Sequence, residues 1–234
     1  MNAASLLALQ DIDTALAAIA NRRPRLPELA AQRAAAAALA THHSAMAAAR
    51  RRIDDAATAI EAAEHAASDI TTKRARLEAQ LKTVIAPREA EALMSQIATL
   101  NVQRGELDDR ELEALDAQAQ AEADLGELMM QAPDLEAALE AAEDELQRAT
   151  AVLDTEESAL RERRPSVAGV LSADELAAYD QARRHLDGVA IARLEGHRCQ
   201  GCHLDLSAAE MDTVKATPEG ALPECPQCGR FLAR

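Results

Sequence analysis

The amino-acid sequence predicts a mainly α protein: a long, kinked, antiparallel helical hairpin of coiled-coil type, followed by a small C-terminal module with short β-strands. Three observations carry this. Apolar residues recur at every seventh position through most of the chain. Aromatic residues are nearly absent, with Tyr179, Phe231 and no Trp, so the large buried areas that aromatics give a globular core are missing. All four cysteines fall in two C-x-x-C pairs near the C-terminal end.

Residues 4–22 form the first predicted helix, with Leu9, Ile12, Leu16 and Ile19 on one stripe. Arg22-Arg23-Pro24-Arg25-Leu26-Pro27 then breaks it at 24–27. Each proline removes a backbone donor and clashes with the turn before it, while Pro27 suits the first turn of the next helix. From about residue 28 to 83 a heptad takes over. One row is Leu39, Met46, Ile53, Ile60, Ala67 and Leu81, broken at Arg74; the other is Ala49, Ala56, Ala63, Ile70, Leu77 and Val84. Two rows of this period define a coiled-coil seam. Its alanines allow close helix approach but bury little area, so length has to supply the stability. His42 falls on the second row with His43 beside it, which reads as a seam-edge histidine; a lone metal or pH-switch role is the alternative.

A turn is expected near 83–87, where Pro87 opens a new helix with Glu89 and Glu91 at its positive end. The heptad resumes with Leu93, Leu100, Leu107, Ala114, Ala121, Leu128, Leu135, Ala142 and Ala149. Leu125, Ala132, Leu139, Leu146, Leu153 and Leu160 form its companion row. Pro133, with Gly105 and Gly126, is expected to bend this helix, and Arg163-Arg164-Pro165 to end it. The arms 4–83 and 87–164 are nearly equal, each on the order of 100 Å at about 1.5 Å per residue, so each can bury the other's seam. The Pro24/Pro27 break would then face residues 146–150. A parallel dimer is the competing arrangement.

Charge favours the hairpin. The net charge is −15, and residues 102–160, with 18 acids and three bases, hold an excess of that same size. Residues 21–88 carry 12 bases and 7 acids. A basic helix followed by an acidic one fixes partner and register in an antiparallel pair, although a solvated acidic face accounts for most of the excess.

The division expected is a hairpin over 1–165 and a second domain over 166–234. Leu171-Ser172-Ala173-Asp174-Glu175-Leu176 is a helix start, with Ser172 as cap, Glu175 closing the capping box and Leu171 stapling to Leu176. This short helix ends near Asp187-Gly188. Val189 to Leu194 reads as a strand, Ala208 to Val214 as a short helix or turn and Pro218-Glu219-Gly220 as a loop. Phe231-Leu232 reads as the return strand, with Phe231 packed against the cysteines.

Cys199-Gln200-Gly201-Cys202 and Cys225-Pro226-Gln227-Cys228 each have the form of a zinc knuckle. Two thiolates three positions apart sit on a tight turn whose N–H groups point at the sulfurs. Together they supply the four soft ligands of one tetrahedral structural Zn²⁺, leaving no position open for water or substrate. A redox C-x-x-C would follow a strand and begin a helix in a βαβ setting, which is missing. A disulfide framework fits a secreted chain, but Met1-Asn2-Ala3-Ala4-Ser5-Leu6 has no charged leader region. Four cysteines can also ligate an iron–sulfur cluster, but such clusters usually use other spacings. No uncharged run of 18 apolar residues occurs, so no membrane span is expected, and a cytoplasmic compartment that keeps thiols reduced is. A ribbon this small depends on the metal for its folding energy.

The whole chain resembles bacterial coiled-coil proteins that end in a C4-type zinc ribbon. The likeness rests on Leu9-Gln10-Asp11-Ile12-Asp13, on Pro87-Arg88-Glu89-Ala90-Glu91-Ala92-Leu93, and on Tyr179-Asp180 with Arg183-Arg184. It rests further on Gly188-Val189-Ala190, Cys199-x-Gly201-Cys202-His203 and Cys225-Pro226-x-Cys228-Gly229-Arg230. It implies a kinked helical hairpin bearing a compact ribbon, with Cys199, Cys202, Cys225 and Cys228 as ligands. It also implies an adaptor or regulatory role toward protein or nucleic acid, and no catalytic activity.

The residues themselves point the same way. The metal site is closed, and no Gly-rich phosphate loop or nucleophile–base set is present. The expected role is therefore a non-enzymatic zinc-binding adaptor that meets a macromolecular partner, protein rather than nucleic acid, with no small-molecule substrate, as a monomer or weak dimer. The alternative is nucleic-acid binding through Arg183, Arg184, Arg193, Arg198, Lys215, Arg230 and Arg234. Against it, residues 189–234 hold 5 bases and 6 acids, and four thiolates on zinc add further negative charge. Arg50-Arg51-Arg52 is read as paired with the acidic helix.

Overall fold

A computed structural model describes residues 2–218 and 220–234. Glu219, part of the expected loop, and Met1 lie outside the described residues. The elements are α1 (Ala3–Arg22), a 3-10 turn (Arg23–Arg25), α2 (Pro27–Leu81), α3 (Pro87–Ala168) and α4 (Ala173–His185). The strands and last helix follow as β1 (Ile191–Glu195), β2 (Arg198–Cys199), α5 (Ala208–Lys215) and β3 (Phe231–Ala233). The fold is a long helical hairpin with small strands at its C-terminal end. Its contacts divide into one unit of residues 1–31 with 143–234 and another of residues 32–142.

Within 32–142, α2 and α3 run antiparallel. Their cross-helix bonds join 42 with 128, 52 with 124, 67 with 104 and 74 with 101, one number falling as the other rises. The seam is the predicted heptad. His42, Ala49, Ala56, Ala63 and Ala67 are its buried positions on α2, and Ala121 its buried position on α3. The most enclosed seam positions are thus mostly alanines, whose methyl groups contribute only about 0.8 kcal/mol each, so many turns are needed. His42 Nε2 donates to the Leu128 carbonyl at 2.9 Å, which places it at the seam as a cross-helix tie.

Cross-helix ion pairing here is sparse. Arg52 Nη1 meets Asp124 Oδ2 at 2.7 Å, with both side chains about half to one-third exposed. Arg52→Ala should therefore cost under about 1 kcal/mol in urea unfolding, since an exposed pair gains little over its two hydrated charges. A loss several times larger would show that the pair fixes the register.

The end of α3 needs correction. α3 does not end at Arg163-Arg164-Pro165 but continues to Ala168. Pro165 forfeits only its own N–H, while its carbonyl still accepts from Gly169 at 2.8 Å. Pro133, Gly105 and Gly126 lie within α3, which continues through all three. The stretch Ala3–Leu81 contains one 18-residue window long and apolar enough to cross a membrane by length and composition, although it is not free of charged residues. That window lies near the N-terminus, in α1, whose apolar stripe of Leu6, Leu9, Ile12 and Ile19 is buried within the protein.

In the other unit, a three-stranded sheet of order β2-β1-β3 separates two cores. β1 pairs antiparallel with β2 but parallel with β3, Ile191 opposite Phe231 and Ala192 opposite Leu232. Alternate side chains take opposite faces. Ile191, Phe231 and Ala233 join Leu6, Leu9, Leu171 and Tyr179 in one cluster. Ala192 and Leu232 join Leu206, Val214 and the cysteines in the other. Phe231 therefore packs away from the cysteines, against α1 and α4, and Leu232 is the residue beneath them. Ser172 and Glu175 form the predicted capping box, and Ser207 with Glu210 forms a second at the start of α5. Ile19, Leu26 and Leu153 make a third cluster at the proline break, where Arg23 also bonds Asp154 and Glu157.

Candidate metal centre

The two knuckles have the same backbone. The N–H of His203 bonds the Cys199 carbonyl, and the N–H of Gly229 bonds the Cys225 carbonyl, each at 2.8 Å. Both residues lie in the left-handed region, at φ 61° and 73°. Gly229 adopts this freely, whereas His203 does so at a cost of about 1 kcal/mol or more. Reversing the chain in this way turns both cysteines of each pair toward one point. The four Sγ atoms lie within 4.8 Å of one another, and those of Cys202 and Cys225 are 3.9 Å apart. A tetrahedral ion with bonds of about 2.3 Å sets its sulfurs about 3.8 Å apart, so the donor set fits zinc. Cys199 and Cys225 are buried, and the Gly201 N–H points at Cys199 Sγ from 3.4 Å.

The thiols are not equivalent. Burial pushes Cys225 up to about 12. Cys228 is opposed by burial as well, yet the backbone N–H and guanidinium of Arg230 bring it down to about 7. A metal must displace the proton of Cys225, so binding releases protons and weakens in acid.

Gly201 is required by space. A Cβ there would lie 2.7 Å from Arg230 Cδ and 2.9 Å from Ala192 Cβ. Arg230 cannot swing aside without breaking its bonds to the carbonyls of Val189 (3.0 Å) and Leu186 (3.1 Å). Gly201→Ala should destabilise the zinc-loaded protein by about 1–3 kcal/mol in denaturant unfolding, the usual cost of overpacking. Unchanged stability would show that strand β1 yields.

A second constellation supports the ribbon from below. Asp13 is only 2% exposed, yet lies on the apolar stripe of α1. Its carboxylate accepts from Arg164 Nε at 2.7 Å, Arg164 Nη2 at 3.1 Å and the Tyr179 hydroxyl at 2.9 Å, with Arg183 Nη1 3.4 Å away. Burial opposes its charge, but Arg164, Tyr179 and Arg183 together hold it below the ordinary value of 3.8. Tyr179 is pushed above its usual range by burial and by the Asp13 charge. Gln10, one turn earlier, accepts from Ala190 N at 2.6 Å and donates to the Gly188 carbonyl at 2.9 Å. It thereby pairs the chain just before β1 as a neighbouring backbone would. In the sequence Leu9-Gln10-Asp11-Ile12-Asp13 carries only a family likeness. The available signal was that Gln10 and Asp13 continue the helical spacing of Leu6 and Leu9.

Of the basic candidates, Arg183 and Arg230 are committed internally, to Asp13 with Gly188 and to Val189 with Leu186. Arg184, Arg193, Arg198, Lys215 and Arg234 are exposed. Arg52 meets the acidic helix, whereas its neighbours Arg50 and Arg51 are exposed.

Hairpin and four-thiolate knuckle together define a coiled-coil protein with a C-terminal C4 zinc ribbon. The CT398-like coiled coil hairpin domain matches residues 9–187, and the C4-type zinc ribbon domain matches residues 198–232. The chain belongs to the CT398-like coiled-coil hairpin family, and Cys199, Cys202, Cys225 and Cys228 hold one structural Zn²⁺. The metal's chemistry is to cross-link the two knuckles. No catalytic family is indicated. A protein of Mycobacterium tuberculosis strain H37Rv, the uncharacterized protein Rv2229c, is 28% identical over 98% of this chain and 94% of its own length. Among solved structures, CT398 from Chlamydia trachomatis superposes with a TM-score of 0.84 at 20% identity, covering 97% of this chain and 95% of that one. A Mycobacterium smegmatis structure gives 0.79 at 22% identity, covering 98% and 96%. HP0958 from Helicobacter pylori gives 0.64 at 14% identity, covering 99% and 98%. At these identities the structures speak for the fold.

Proposed function

We propose that this protein is a non-enzymatic adaptor, in which a long hairpin and a metal-folded ribbon are presented to a protein partner in a compartment that keeps thiols reduced. The observation that carries the reading is the closure of the metal site: four sulfurs within 4.8 Å of one another leave no coordination position for substrate. A module built this way acts through its surface. Nucleic acid is the less favoured partner, because Arg183 and Arg230 spend their guanidinium groups on Asp13 and on backbone carbonyls. Backbone neutralisation needs a clear basic surface.

The test is a pull-down with intact zinc-loaded protein against Cys225→Ser, run beside gel-shift with a 20-nucleotide RNA and duplex DNA at low salt. Retention of a protein that Cys225→Ser loses supports the adaptor reading through the ribbon. Tight, salt-sensitive nucleic-acid binding lost in Arg184→Ala/Arg193→Ala would replace it with the nucleic-acid alternative.

A further inference from the structure

The turn end of the hairpin carries a charge opposite to that of the chain. Residues 70–105 hold six bases (Lys73, Arg74, Arg76, Lys82, Arg88 and Arg104) against three acids (Glu78, Glu89 and Glu91), in a protein of net charge −15. No Asp or Glu occurs from residue 92 to 105. Some of these cations are neutralised locally, Arg74 by Glu78 and Arg104 by Asp108. Lys73 and Arg76 are exposed and have no carboxylate at ion-pair distance among the described residues.

These two cations rim a valley of about 500 Å³ between α2 and α3. Its floor is apolar, made by Leu77 and Leu100 of the seam, and amides such as Gln80 and Gln96 stand on its walls. Each helix lines it at i, i+3, i+4 and i+7, two turns or about 10 Å of parallel ridges. Ridges at that spacing accept a third helix lying along them. An extended peptide finds no sheet edge there to pair with. The charges select the flank of that helix: carboxylates facing Lys73 and Arg76 would pair two cations that meet no carboxylate at ion-pair distance among the described residues. The valley has no aromatic residue on which a base could stack.

We propose that this valley docks an acidic amphipathic helix supplied by a protein partner. The inference rests on the adaptor reading and adds to it a place on the hairpin and the chemistry of the ligand.

The probe is a fluorescein-labelled 16-residue helix with Leu at i, i+3, i+4 and i+7 and Glu on its flanks. It is titrated into full-length zinc-loaded protein and read by anisotropy. Comparators are the same peptide with Lys for Glu, one with the Leu positions scrambled, a 20-nucleotide RNA, and vesicles rich in anionic lipid. Binding of the acidic amphipathic peptide is expected, at least tenfold weaker for both peptide comparators. A further tenfold loss is expected in Lys73→Glu/Arg76→Glu, checked for unchanged helix content. Arg50→Glu/Arg51→Glu, elsewhere on α2, should leave binding unchanged. Stronger binding of RNA or vesicles, equal binding of all peptides, or no binding overturns the proposal. So does concentration-dependent self-association, by sedimentation, that Lys73→Glu/Arg76→Glu abolishes, because the occupant is then a second copy. A protein partner captured equally by wild type and Lys73→Glu/Arg76→Glu sinks the valley but keeps the adaptor reading, which fails only if no protein is retained.

Discussion

Cys225→Ser should strip the protein of zinc and unfold the ribbon while the helical signal of the hairpin persists. Four thiolates bind a structural zinc with about 10–16 kcal/mol, and that binding is the folding energy of a module this small. Cys225 is 1% exposed, so a hydroxyl in its place puts a weaker, harder ligand in the site. Metal analysis under reducing conditions should fall from one zinc per chain to near none. Amide exchange across β2, α5 and β3 should rise to that of unfolded chain. A variant that keeps its zinc and its protection would show that three sulfurs suffice. Acid should act in the same direction on the wild type, because protons compete with the metal for the buried sulfurs.

Asp13→Ala should be the costliest single change outside the cysteines. It removes one acceptor from Arg164, Tyr179 and Arg183 together, leaving a buried hydroxyl and two partly buried cations without their counter-charge. Breaking such a group costs about 3–5 kcal/mol. Arg164 and Arg183 keep 32% and 29% exposure and can turn toward water, which argues for about 3 kcal/mol. Urea unfolding of the zinc-loaded protein measures it; a loss below about 1 kcal/mol would mean the network is not energetically coupled. The pH dependence has a definite sign. Asp13 titrates lower folded than unfolded, so its contribution is present above the unfolded carboxylate range and is lost as pH falls through the folded value. Asp13→Asn should flatten that acid limb.

How much of this was legible in the sequence differs by type of signal. Prolines 24, 27 and 87 each act within one or two turns, so the breaks they mark were placed correctly. The seam was legible because one face is buried at a fixed period, and the cysteines because few arrangements use two C-x-x-C pairs. Pro165 misled because a proline's penalty is local and α3 has enough neighbouring bonds to carry it through. Phe231 was placed on the wrong face because strand alternation fixes only that Phe231 and Leu232 point oppositely. Which face holds the metal depends on α1, nearly the whole chain away. The Asp13 network was illegible for the same reason: its bonds span 151 to 170 residues, and nothing local announces them.

The parallel pairing of β1 with β3 orders events in time. Leu6 and Leu9 are fully buried, in a cluster that includes Ala190, Ile191 and Ala233. Gln10 waits 180 residues for the N–H of Ala190. During synthesis the first helix therefore emerges with its apolar stripe uncovered. α3 and α4 can cover part of it, but the cover over Leu6 and Leu9 is complete only when β3 has been made. The hairpin can zip as its second arm leaves the ribosome, but the base on which the ribbon stands is assembled last. Every molecule thus passes through a stage in which the helices are paired and their foot is still sticky.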